Sequence, residues 1–261
     1  MEKLPYDRIF KMKKIILALA LLLIFASCQK KSETVPEPDA NIAEQSEEDA
    51  RLAYYKEINA LWDENHTFNS DYQGEISVGT LFTYPFVQGS SNDCYLRKDW
   101  KTMTHDEEGS IFLDSRNAYD DQNLIIYGHY VYLSYDPSGT HKFTPLRLLT
   151  EEESYEENKY IPLQLENEIR TYQIAYVYYV GTYVTDDGVR HTEEGLQYYW
   201  TNFEDDYFQE YLKNVRKDAL YDTGVEIDDN DHLLTLQTCV ENKPELREIV
   251  LAKLISTEST R

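Results

Sequence analysis

The sequence predicts a mainly β domain, an antiparallel barrel or sandwich, with one amphipathic helix ahead of it and a second helix inserted late. Three observations point there. Short β-branched or aromatic runs recur between residues 76 and 255, separated by turn-rich segments. Tyrosine alone supplies 23 residues, a bias that suits strands. Only two stretches carry a 3.6-residue apolar period instead. No internal repeat is visible, and the length fits one domain behind a leader.

The chain opens with that leader. Met12-Lys13-Lys14 precedes an apolar run from Ile15 to Ile24, then Phe25-Ala26-Ser27-Cys28. A basic start, a short apolar core and small residues before a cut site make a secretory signal, with Met12 as an alternative start. The apolar run falls short of the ~20 residues a spanning helix needs. Ala26 and Ser27 before Cys28 resemble the lipobox of bacterial lipoproteins, although Phe25 stands where Leu is usual. The resemblance implies cleavage before Cys28 and a diacylglycerol on its sulfur. Residues 29–50 are rich in Glu, Ser and Pro and poor in apolar side chains, as a disordered tether is.

Residues 51–73 are expected to hold the first helix and a linker, and residues 74–261 the folded β domain. Helical spacing runs from about Glu47 to Glu64, with Tyr54, Ile58, Leu61 and Trp62 on one face. Strands are then expected around Ile76–Phe82, Ile111–Leu113, Leu124–Tyr127, Tyr172–Val180, Gln197–Trp200, Leu233–Thr238 and Ile249–Ile255. The late helix is read from Phe203 to about Lys217. Thr201 or Asn202 can cap it, acidic residues fill its first turn and basic ones its last. Its buried stripe is Phe203, Tyr207, Tyr211, Leu212 and Val215.

A net charge of −23 excludes a phosphate-binding footprint, so nucleic acid is not an expected partner. The acidic loop Glu226–Asp231 lacks the glycine and closing Glu of an EF-hand. Cys28, Cys94 and Cys239 are too few for a disulfide framework. Cys239 ends a strand, seven residues separate it from Arg247, which begins the next apolar run, and Pro244 lies between them. If the two strands form a hairpin, Cys239 and Arg247 face each other across its mouth. A cation there favours thiolate or holds a developing oxyanion. Six histidines are candidate proton partners, and spacing alone does not choose among them. His129 stands out because it terminates an apolar strand after Gly128.

Residues 74–255 look like a class B sortase. The blocks that carry the resemblance are Gly79-Thr80 through Tyr84-Pro85-Phe86-Val87-Gln88, then Asn92 with Tyr95-Leu96, and Gly109 to Asn117. After them come Asn123 to His129, Leu220 to Val225, Leu234 to Cys239, and Arg247 with Val250 to Ile255. The resemblance implies an eight-stranded β-barrel with a helix in the loop before the last strands. It implies a cysteine transpeptidase that cleaves the C-terminal sorting signal of secreted proteins through a thioester at Cys239. The acyl group then passes to an amine of peptidoglycan or of a pilin. His129 would be general acid and base, Arg247 the stabilising cation, and Asn92 and Thr238 substrate contacts. No metal or organic cofactor is required. The enzyme would stand on the outer face of the bacterial cytoplasmic membrane.

The chain departs from the pattern in places. The Cys239–Arg247 connection is short, Tyr130 and Val131 follow His129, and Cys94 replaces an aromatic residue and is read as packing. Glu248 sits beside Arg247, either pointing the other way along the strand or pairing with it. Two other readings use the same chain. One is a lipid-anchored cysteine peptidase that only hydrolyses, the other a non-catalytic surface-binding lipoprotein with the same barrel.

Overall fold

The computed structural model describes residues 40–186 and 190–261. The leader, Cys28 and the first part of the expected tether lie outside the described residues. The chain divides into two units, Met1–Glu48 and Asp49–Arg261.

Helix α1 runs from Ala40 to Phe68, starting inside the segment expected to be a tether. Residues 40–50 are low in apolar content but rich in Ala and Glu, which are strong helix formers. Within the second unit, Tyr55, Ile58 and Trp62 make the buried stripe. The Trp62 indole N–H donates to the Gln73 carbonyl (3.0 Å), and the Asn59 amide donates to the Thr260 carbonyl (2.7 Å). The helix therefore ties the first strand to the C-terminus.

Among the described residues nine strands follow: β1 (Tyr72–Val78), β2 (Phe82–Val87), β3 (Ile111–Leu113), β4 (Asn123–Tyr127), β5 (Tyr160–Gln164), β6 (Glu168–Val184), β7 (Arg190–Thr192), β8 (Leu233–Val240) and β9 (Lys243–Ser259). Their order is β5-β1-β2-β3-β4-β8-β9-β6, and β5 also pairs with β6, which closes an eight-stranded barrel. β7 pairs only with the far end of β6. The pairing is not wholly antiparallel: β2–β3 and β4–β8 are parallel. Parallel neighbours need long crossovers, and the segments 88–110 and 128–232 are those crossovers.

Inside the barrel, alternate residues meet: Ile76, Val78, Phe86, Leu113, Leu124, Ile126, Leu234, Leu236, Val250 and Ala252 are buried together. The outer face of β6, β9 and β8 is covered by α3 (Asp205–Asp218); the intervening one-turn α2 is Tyr155–Asn158. Phe208, Tyr211, Leu212 and Val215 pack there on Tyr178, Val180, Ile249 and Leu251. A strand buried on both faces reads as a continuous apolar run, which is why Ile249–Ile255 lacks alternation. Glu204, not Thr201 or Asn202, occupies the N-cap of α3. The Asn202 side chain instead donates to Asp121 (2.6 Å).

Gln197–Trp200 is not a strand. Its carbonyls are taken by a side chain: the buried Asn123 amide donates to the Tyr198 carbonyl (3.1 Å) and the Trp200 carbonyl (2.9 Å). The Asn123 side-chain oxygen in turn accepts from the Thr235 hydroxyl (2.9 Å). One fully satisfied asparagine thus pins the segment before α3 to the start of β4 and β8.

Candidate active site

Cys239, Arg247 and His129 come from three consecutive strand ends of the sheet. β8 and β9 form the expected hairpin, and Cys239 is the register partner of Arg247. Directly opposed residues of an antiparallel pair hold their Cβ atoms about 4.5–5.5 Å apart. β4 lies parallel on the other side of β8, with Tyr127 level with Gln237. The Gly128 N–H donates to the Gln237 carbonyl (3.2 Å), so pairing continues past the strand end. His129 follows Gly128, two residues past the end of β4 at Tyr127. Strand alternation puts Tyr127, Gln237 and Cys239, and Ile249 and Arg247 on the outer face. Thiol and guanidinium therefore share one sheet face, with the imidazole following the end of the neighbouring strand.

Gly128 is glycine because of a close approach. A Cβ there would lie 2.5 Å from the Phe143 ring, and Phe143 fills the barrel interior. The Phe143 N–H then donates to the His129 carbonyl (3.1 Å).

The histidine is oriented by a backbone group. Its Nε2 lies 2.8 Å from the Leu96 carbonyl. A carbonyl only accepts, so Nε2 carries the proton and Nδ1 keeps the lone pair. Burial holds the imidazole below its ordinary pKa; the Leu96 carbonyl raises it, Arg97 and Lys142 lower it further, and Asp106 raises it. The resting imidazole at neutral pH is therefore neutral, with Nδ1 ready to take a proton.

The Arg247 Nη1 donates to the Pro244 carbonyl (2.9 Å) and the Leu246 carbonyl (2.6 Å), which folds the guanidinium onto the hairpin turn. Glu248 does not pair with it. Being one residue on, it points into the barrel and is 2% exposed. The Glu248 carboxyl therefore lies on the opposite face of β9 from the Arg247 guanidinium.

The other expected contacts sit differently. Thr238 is 0% exposed and faces the barrel interior, opposite to Cys239; strand parity removes its side chain from the outer face. Asn92 has both ends of its amide engaged within the protein: Nδ2 donates to Asp114 (3.0 Å) and Oδ1 accepts from the Ser115 N–H (2.8 Å). The Asn92 amide is thus held within the protein, and the Thr238 hydroxyl is buried behind the sheet. Cys94 and Cys239 are free thiols. Cys94 lies against the hydroxyls of Ser91 (3.5 Å) and Ser90 (3.6 Å), whose hydrogen bonds lower its pKa.

Two supporting groups were not legible as such. Asp114 is fully buried beside the site and accepts from the Tyr127 hydroxyl (2.8 Å), Asn92, and Arg116 through Nε (2.9 Å) and Nη2 (2.8 Å). Burial opposes its charge, but these donors hold its carboxyl below the usual range. Glu241, two residues past Cys239, accepts from the Tyr130 hydroxyl (3.1 Å) and the Leu133 N–H (3.2 Å). It clips the segment after His129 to the strand end after the thiol. Among the described residues no group of three or more His, Cys, Asp or Glu is arranged to hold a metal. No helix among them is long and apolar enough to cross a membrane.

No protein-family model matches the chain. The chain is 30% identical over 193 residues to Sortase B of Staphylococcus aureus, covering 72% of this chain and 71% of the relative. It is 27% identical over 194 residues to Sortase B of Listeria monocytogenes, with the same coverage of 72% and 71%. Among solved structures, Clostridium perfringens Sortase B matches with a TM-score of 0.61 and 30% identity, covering 74% of this chain and 99% of that one. A Staphylococcus aureus sortase B–substrate complex matches with a TM-score of 0.64 and 25% identity, covering 83% and 98%.

Proposed function

The chain belongs to the sortase B family and is a cysteine transpeptidase, and from that premise we propose that Cys239 is its nucleophile, His129 its acid and base, and Arg247 its oxyanion cation. The single observation that carries this assignment is the register of the hairpin, Cys239 opposite Arg247 on β9, with His129 two residues past the end of β4, the parallel neighbour of β8.

The reaction follows from the protonation states. The Cys239 proton passes to His129 Nδ1, the one ring nitrogen with a free lone pair, and the thiolate adds to the peptide carbonyl of a sorting signal. Arg247 stabilises the oxyanion, with its guanidinium already steadied by two turn carbonyls. His129 then gives its proton to the departing amine, leaving a thioester. An incoming amine loses its proton to His129, attacks the thioester and restores the thiol. The acyl donor is a secreted protein with a C-terminal sorting signal, and the acceptor is a peptidoglycan or pilin amine. Asn92 and Thr238 support the site from behind, through Asp114 and the barrel interior.

Export and anchoring complete the proposal. The leader directs the chain across the membrane, and a diacylglycerol on Cys28 holds it at the outer face of the cytoplasmic membrane. Metabolic labelling with an alkyne fatty acid tests this: label on the wild type and none on Cys28→Ala supports the anchor, and label on neither removes it. For the chemistry, a sorting-signal peptide is incubated with triglycine. The amide product supports transfer, whereas free acid alone supports the hydrolytic peptidase.

A further inference from the structure

The barrel interior directly behind the hairpin holds a group that the reaction leaves unused. On β8 and β9 the rung next to Cys239–Arg247 is Thr238–Glu248. Alternation sends the first pair outward and the second inward, so every movement of Glu248 is one residue from the catalytic pair. Glu248 Oε1 and Thr238 Oγ1 are both fully buried without a hydrogen-bond partner, and so is Nε of Arg147. The groups that face Glu248 are Arg147 from the 3-10 segment Thr144–Thr150, Tyr130 after β4, Tyr179 on β6 and Tyr221 after α3. The three tyrosines are pushed upward by burial and stay neutral. Arg147 is the one cation of this set, and its charge favours the ionised form of Glu248.

A carboxylate in that setting has too few donors to replace water. The neutral acid fits it. We propose that Glu248 is a positioning residue for the catalytic pair: buried against Thr238 inside the barrel, it keeps Cys239 and Arg247 in register while it is protonated, and the demand to ionise makes the β8–β9 hairpin open. Burial pushes its pKa up to about 8, with Arg147 pulling it down, so the opening is set within the working range of pH. In the closed hairpin the proton is retained up to that pH; in an opened one the carboxyl reaches water and ionises near its ordinary value. Opening therefore becomes easier as pH rises and levels off above about 8.

The inference rests on the reading of Cys239 as nucleophile, but hydrogen exchange tests it without substrate, so the two can fail separately. Amide protection is measured on the full chain from pH 5 to 9, for the wild type, Glu248→Gln and Glu248→Leu. Protection of β8 and β9 in the wild type should fall by up to about tenfold per pH unit between pH 5 and 8, then level. In the variants it should stay flat, while β1 and β2 behave alike in all three proteins. The second readout is iodoacetamide alkylation of Cys239, assigned by peptide mass. All three proteins share the ionisation of the thiol itself, so the readout is the ratio of wild-type to variant rate, which should rise with pH up to about 8 and then stay constant. The proposal is overturned if protection of the hairpin changes with pH identically in wild type and variants, or if protection falls equally on β1 and β2. Superimposable alkylation profiles overturn it as well.

Discussion

Replacing Glu248 by Gln removes one titration and little volume, and its consequence for stability can be worked out. The folded carboxyl is held near pKa 8 against an ordinary 4.5, chiefly by burial. A folded-state pKa raised above the unfolded one means the unfolded chain releases this proton first. Stability therefore drains away as pH climbs from the unfolded value and stops falling once the folded group also ionises. At about 1.4 kcal/mol per unit, the shift amounts to roughly 5 kcal/mol in the limit and roughly 3 kcal/mol at pH 7. Urea denaturation of wild type and Glu248→Gln at successive pH values from 5 to 9 isolates it. The depressed carboxyls Asp99, Asp114 and Asp136 titrate in both proteins and cancel in the difference. The stability of the variant relative to wild type should grow by about 1.4 kcal/mol per pH unit from pH 5 to 8, then stay constant. Parallel stability curves across that range would refute the buried, neutral glutamate.

Three further outcomes follow from the site. Arg97 helps depress the His129 imidazole, so Arg97→Ala should move the acidic limb of the kcat/KM profile to higher pH, and an unmoved limb would deny that electrostatic contact. Asp114→Ala leaves the Tyr127 hydroxyl, the Asn92 amide and the half-exposed Arg116 guanidinium without their buried acceptor and should cost about 2–3 kcal/mol of stability, measured by thermal and urea unfolding. Glu241→Ala frees the Tyr130 hydroxyl and the Leu133 N–H. Turnover should drop on the order of tenfold as His129 loses its frame, with a much smaller change in unfolding midpoint; equal turnover would show the clip to be idle.

Much of the barrel is legible from local chemistry, and the misses have physical causes. β3, β4 and β8 are compact β-branched or Leu-rich runs, and they appear where the pattern puts them. β5 carries Pro162, a strand demotion by local rules, yet β1 pairs only with Leu163 and Gln164, so the missing N–H is not needed there. Gln197–Trp200 has strand composition, but Asn123 takes its carbonyls, a contact across more than seventy residues that no local pattern contains. In the site, parity along β8 and β9 already implies that Glu248 and Arg247 point apart. The Leu96 carbonyl that orients His129 was invisible, because any loop backbone can supply such an acceptor. Asp114 hid for a related reason: its role depends on donors from Asn92 and Tyr127, which only the fold brings together.

The central claim is that acyl transfer passes through the thiol of Cys239. Its most direct test is mass spectrometry of the protein after brief incubation with a sorting-signal peptide, followed by digestion and then by addition of triglycine to a parallel sample. The account predicts an acyl adduct on the peptide containing Cys239, discharged by triglycine to an amide and absent from Cys239→Ala. Product formation by Cys239→Ala, or an adduct carried by Cys94 instead, would contradict it.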